Sequence, residues 1–345
     1  MGKKLFREGG PHQIKQVGDT VHMKVAIPSD EDGRVARKCP NPECSPGYFK
    51  VKPETGIAGQ QDIIYCPYCH HEDAPNNFYS DEQARYATDL MLEEAKIGVQ
   101  KMLADALGLG YSGRRTFGGG MISMELSLTS EPSAPVQAPC EEELWREVVC
   151  PNCGLDQAVF GLASWCSDCG RDIFLAGVAG ELSTVRGMFG DVERRKQLLG
   201  RRAAAKDFEN CLEDAVSVFE ASVRAIVGRA LRGRGLSRED VEKTFKKIGN
   251  AFQSVARTRE QLDKLLGVQL PDDPVWQRMG QLFEKRHPIA HSLGVVDATY
   301  RTRTAQAEIE GRELRITSAD IEAILGDVEH IVARIHAAAL PASSP

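Results

Sequence analysis

Apolar residues recur at three- and four-residue spacing through Phe208, Cys211, Leu212, Ala215, Phe219, Val223, Ile226, Val227 and Ala230. This stripe predicts one long amphipathic helix over about residues 191–231, ended by Gly233-Arg234-Gly235. Ser237 with Asp240 caps a second helix reaching about residue 266, with an interruption at Gly249. Asp273-Pro274 reads as an N-cap followed by a proline at the first helical position, so a third helix opens at 275. Thr317 with Asp320 caps a last helix to about 338, and Glu308–Ile316 reads as a short extended piece.

The other half of the chain has a different rhythm. Residues 1–16 are polar and glycine-containing and are expected to be poorly ordered, and Val17 to Ile27 alternates loosely enough to predict a strand. Ser80-Asp81-Glu82-Gln83 has the form of a capping box. A helix should follow over about 81–107, with Leu90, Ala95, Val99, Met102 and Leu103 among its apolar positions. Residues 108–139 carry Gly118-Gly119-Gly120 and then Ser, Pro and Ala, a linker composition. The pattern divides the chain into a polar and strand segment (1–30), a cysteine module with a helix (31–107), a linker (108–139), a second cysteine module (140–180) and a helical bundle (181–340). The fold class is α+β and multidomain.

Composition adds one anomaly. The 345 residues are 42% hydrophobic and 27% charged, which is ordinary, but they include ten cysteines. Chance gives about 0.26 Cys-x-x-Cys pairs at this content, and the chain has three. No apolar run suited to a signal peptide or a membrane span is present, so a cytoplasmic chain with reduced thiols and no membrane contact is expected. The cysteines then read as metal ligands. Cys39, Cys44, Cys66 and Cys69 form one set of four; Cys150, Cys153, Cys166 and Cys169 form the other. His70 or His71 is an alternative to Cys69. Tetrahedral Zn²⁺ takes four soft ligands, and a site closed by four thiolates is structural. Two structural Zn²⁺ are therefore expected, with no catalytic metal. Both modules look like zinc ribbons. Tyr48, Phe49, Lys50 and Lys52 could stack on bases and bind phosphate, or fill a small core and face solvent.

Charge points to no partner by itself. The net charge is −6, split into −8 over residues 1–180 and +2 over 181–345, so nucleic acid would have to be bound by local patches. Such patches are offered by Arg194, Arg195, Lys196, Arg201, Arg202 and Lys206, and by Arg229, Arg232, Arg234 and Arg238.

The segment Arg286-His287-Pro288-Ile289-Ala290-His291, with a Gly294-Val295-Val296-Asp297 tail, places Arg-x4-His after a helix within an all-helical region. Over roughly residues 190–340 this resembles the HEPN superfamily, whose signature is an arginine, a polar residue, three residues and a histidine. The resemblance implies a metal-independent, homodimeric endoribonuclease with the motif at the dimer interface. It implies Arg286 as phosphate binder, His291 as general acid/base and His287 in the polar position. It also implies RNA as partner, with the ribbons recognising RNA or a protein regulator, and a role in defence or toxin–antitoxin pairing by analogy. Pro288 departs from the pattern: it cannot donate to the Glu284 carbonyl and is expected to kink or end the helix. The competing reading is a non-catalytic adaptor whose ribbons and bundle are binding surfaces.

Overall fold

In the computed structural model of the chain, the described residues are 13–17, 20–109, 113–118, 123–129, 135–304 and 309–340. Most of the N-terminal segment expected to be poorly ordered, residues 1–12, lies outside them. The chain forms two compact units, one of residues 1–145, 152–160 and 165–170, the other of 146–151, 161–164 and 171–345.

The first unit is built from short antiparallel strands. β1 (Gln13–Val17) and β2 (Thr20–Lys24) pair as a hairpin, where one strand over 17–27 was expected. β3 (Val35–Lys38) pairs with β4 (Tyr48–Val51), and β5 (Ile64–Tyr65) with β6 (Glu72–Asp73). α1 (Asp81–Ala106) opens on the expected capping box: Gln83 N–H donates to Ser80 Oγ and Ser80 N–H to Gln83 Oε1. The linker region holds a further hairpin, β7 (Arg114–Phe117) with β8 (Met124–Ser127). After β9 (Arg146–Val149), which belongs to the second unit, comes β10 (Asp156–Val159). β10 pairs antiparallel with β4, Val159 opposite Phe49 and Gln157 opposite Val51. The two cysteine segments thus share a sheet. The fully buried Phe49 and Phe78 meet edge to face beneath it, with ring centroids 6.1 Å apart.

The second unit is helical from Phe174, a little before the expected boundary. It contains α2 (Phe174–Gly190), α3 (Val192–Leu199), α4 (Arg201–Gly233), α5 (Arg238–Ile248), α6 (Val255–Leu266), α7 (Pro274–Ser292), α8 (Ala298–Thr304) and α9 (Ser318–Ala339). Gly200, at φ 90°, divides the expected long helix into α3 and α4. α4 is the central element, packing on α2, α3, α6, α7 and α9. Its stripe of Leu212, Ala215, Phe219, Val223 and Val227 is fully buried. Burial of each of the larger side chains contributes about 1.5–3 kcal/mol. Phe219 meets Phe283 of α7 edge to face at 5.3 Å. Arg278 of α7 clasps Asp327 of α9 with two hydrogen bonds, of 2.7 and 2.5 Å. No helix among the described residues is long and apolar enough to cross a membrane.

Candidate metal centres and histidine site

Each cysteine pair of the first set sits in the connection between two short antiparallel strands. Cys39 and Cys44 occupy the β3–β4 connection, where Cys39 N–H donates to the Gly47 carbonyl at 2.8 Å. Cys66 and Cys69 occupy the β5–β6 connection, where Cys66 N–H donates to the His71 carbonyl at 2.8 Å. The second set begins in the β9–β10 connection with Cys150 and Cys153, and Cys166 and Cys169 follow.

In both sets the four Sγ atoms lie within 4.8 Å of one another. Sγ–Sγ separations are 3.7 Å for Cys39–Cys69, 3.6 Å for Cys44–Cys66 and 3.5 Å for Cys153–Cys166. Four sulfurs around Zn²⁺ at about 2.3 Å form a tetrahedron with edges of about 3.8 Å. The spacings fit that figure and are far too long for disulfides, and all ten cysteines are free thiols. Both clusters can hold a zinc ion. The protonation balance of the first points the same way: hydrogen bonds with Cys44 and Cys69, then burial, push the Cys66 thiol up. Bonds from Cys44 and Cys66 hold Cys69 low. Four crowded sulfurs cannot all ionise unless a cation shares their charge.

Gly154 (φ 81°) and Gly170 (φ 66°) take the left-handed conformation after their cysteines, as the sequence pattern suggests. After Cys69 that place is taken by His70, at φ 62°. Its ring stacks on Tyr65 at 5.1 Å and meets Trp165 at 4.2 Å, and Nε2 lies 2.9 Å from the Gly170 carbonyl oxygen. His70 therefore fastens one knuckle to the other, and the fourth sulfur of the cluster is that of Cys69.

Several residues considered for nucleic-acid contact have structural duties. Phe49 is wholly buried, and the buried Lys50 is ion-paired to Asp30 at 2.8 Å. Tyr68, which the sequence did not single out, bridges the two cysteine segments: its hydroxyl donates to the Tyr48 carbonyl and accepts from Phe160 N–H, both at 2.8 Å. The basic run at α3–α4 is largely neutralised within itself. Arg194 pairs with Asp191, Arg195 with Asp207, Lys196 with Glu193, and both Arg202 and Lys206 with Glu209. Arg229 pairs with Asp172, and Arg234 donates to the carbonyls of Leu265 and Leu266.

The Arg-x4-His segment lies in the last turns of α7. Pro288 does not end the helix, which continues through Ser292. One backbone bond to the Glu284 carbonyl is lost, but the proline is buried and close to the helix end. The helix closes as Leu293 N–H and Gly294 N–H both donate to the Pro288 carbonyl, with Leu293 in the left-handed region at φ 54°. Because the helix persists, His287 and His291 are four residues apart on one face, with ring centroids 4.9 Å apart. His291 is exposed and His287 half-buried. Arg286 points elsewhere: Nη1 donates to Gln253 Oε1 at 3.0 Å, and Nε is buried without a hydrogen-bond partner. Gln253 in turn donates to Glu220 Oε2 of α4 at 2.9 Å. The helix thus brings the two histidines together and turns the arginine to a polar relay inside the bundle. No family model, curated protein or solved structure matches the chain.

Proposed function

We propose that this chain is a zinc-ribbon protein that cleaves RNA without a catalytic metal. His287 and His291 serve as its proton-transfer groups, and the two cysteine clusters hold structural zinc. The observation that carries the reading is the histidine pair at 4.9 Å on one accessible face of α7. RNA contains its own nucleophile, the 2′-OH. One imidazole removes that proton as the oxygen attacks phosphorus, and a second protonates the departing 5′-oxygen. This is ordinary work for a group with a pKa near neutrality. Arg286 is the residue that the HEPN resemblance assigns to the phosphate. Because Arg286 is bonded to Gln253 inside the bundle, phosphate binding requires it to leave that bond and turn to the histidine face. Two copies about a two-fold axis would present both sets to one phosphate.

The test is incubation of the zinc-loaded protein with RNA in buffer free of added divalent metal. Expected are products ending in 2′,3′-cyclic phosphate, and loss of cleavage in His291→Ala and Arg286→Ala. If both variants cleave like the parent, the assignment is wrong. Elemental analysis of the same preparation should give two zinc per chain, and a value near zero removes the structural part of the reading. A second reading, a non-catalytic adaptor, is favoured by Arg286 being engaged within the bundle and by the paired basic side chains of α3–α4.

A further inference from the structure

The geometry points to a third metal site, in which His287 and His291 together bind an exchangeable transition-metal ion. Two imidazoles one helical turn apart can both turn a nitrogen lone pair to one ion. Ligands at about 2.1 Å from the metal stand roughly 3 Å apart when adjacent in its coordination shell. Ring centroids at 4.9 Å with planes inclined at 55° suit such a chelate. Neither ring has a hydrogen-bond or ion-pair partner among the described residues, so no existing bond has to break.

The charged neighbours are already committed. Lys285 lies 3.4 Å from Asp320, Arg286 is bonded to Gln253, and Arg303 lies 3.7 Å from Glu284, one turn before His287. Lys285 and Arg303 each have an acidic partner, and Arg286 is held by the neutral Gln253 amide on another side of the helix from the two rings. Nitrogen ligands select Ni²⁺, Cu²⁺ or Zn²⁺ over Mg²⁺ or Ca²⁺. Only two protein ligands hold the ion and water completes its shell, so it exchanges readily. The four-thiolate clusters retain theirs.

The ion would occupy the lone pairs that proton transfer requires. This consequence, inhibition by a bound ion, rests on the nuclease reading; the site itself does not. The experiment is calorimetric titration of Ni²⁺ into the full, zinc-loaded chain, without RNA, for the parent, His287→Ala and His291→Ala. Each variant should bind one nickel fewer per chain than the parent, while retaining two zinc and the parent's helical circular dichroism. Nickel uptake equal to the parent's in both variants overturns the site, as does a parent that binds no nickel. Because no RNA is present, failure here leaves the nuclease proposal standing. Absence of RNA cleavage leaves this site standing.

Discussion

Replacing Tyr68 by phenylalanine tests whether the two cysteine segments hold each other in place. The ring is kept and one oxygen removed. That oxygen donates to the carbonyl of Tyr48, the first residue of β4, and accepts from Phe160 N–H just after β10, each at 2.8 Å. Burial pushes the phenol's pKa up, so the hydroxyl stays protonated and able to donate at any ordinary pH. Two hydrogen bonds of about 1 kcal/mol each are lost, and a partly buried N–H is left without an acceptor, for a total of about 2–3 kcal/mol. With a urea slope of about 2 kcal/mol per molar, the midpoint should fall by roughly 1–1.5 M. The readout is zinc release to a colorimetric chelator across a urea series, because the metal reports on this unit. A midpoint within about 0.2 M of the parent would refute the bridging role.

Two other predictions concern the helical unit. Asp172 accepts from Phe174 N–H and Arg229, and His336 Nε2 lies 3.3 Å away. Burial opposes its charge, but these partners outweigh it and hold the carboxyl down at about 2, below the ordinary 3.8. A depressed carboxylate stabilises the fold above about pH 4 and loses that contribution as pH falls towards 2. Asp172→Asn should therefore cost about 1–2 kcal/mol at pH 7. The gap from the parent should close in acid, as followed by thermal melts between pH 7 and pH 2.5. Leu293 is 78% exposed and left-handed, so it bears backbone strain without packing in return. Leu293→Gly should stabilise the chain by about 0.5–1 kcal/mol, seen as a higher melting temperature, and a lower one would contradict the strain argument.

The parts of the fold that were legible in the sequence are those written in local chemistry. Ser80–Gln83, Ser237–Asp240, Asp273-Pro274 and Thr317–Asp320 mark helix starts because a side chain there answers backbone N–H groups, and each start lies where expected. α2 begins at Phe174; its N-cap Ile173 offers no such side chain, and the carboxyl that accepts from Phe174 N–H is that of Asp172, one residue earlier, so its onset was not marked. Gly200 broke a helix that periodicity alone would continue, since the apolar spacing takes no account of one residue's positive φ. The eight clustered cysteines were legible from spacing. The pairing of β4 with β10 was not, because strand partners distant in sequence leave no periodic trace. At the histidine site, Pro288 was expected to kink or end the helix, which instead continues through Ser292.

The β4–β10 pairing also bears on the order in which the molecule can be assembled. Cys39, Cys44, Cys66 and Cys69 are all translated before α1, whereas the strand that flanks β4 arrives about a hundred residues after it. At about 5–20 residues per second, a ribosome needs roughly 5–20 s to supply it. During that interval the nascent first cluster has its full set of sulfurs but an open sheet edge, and Tyr68 has a carbonyl to bond but no strand to receive. Metal capture is then available as an early, local event, and closure of the sheet as a late one that waits on chain growth.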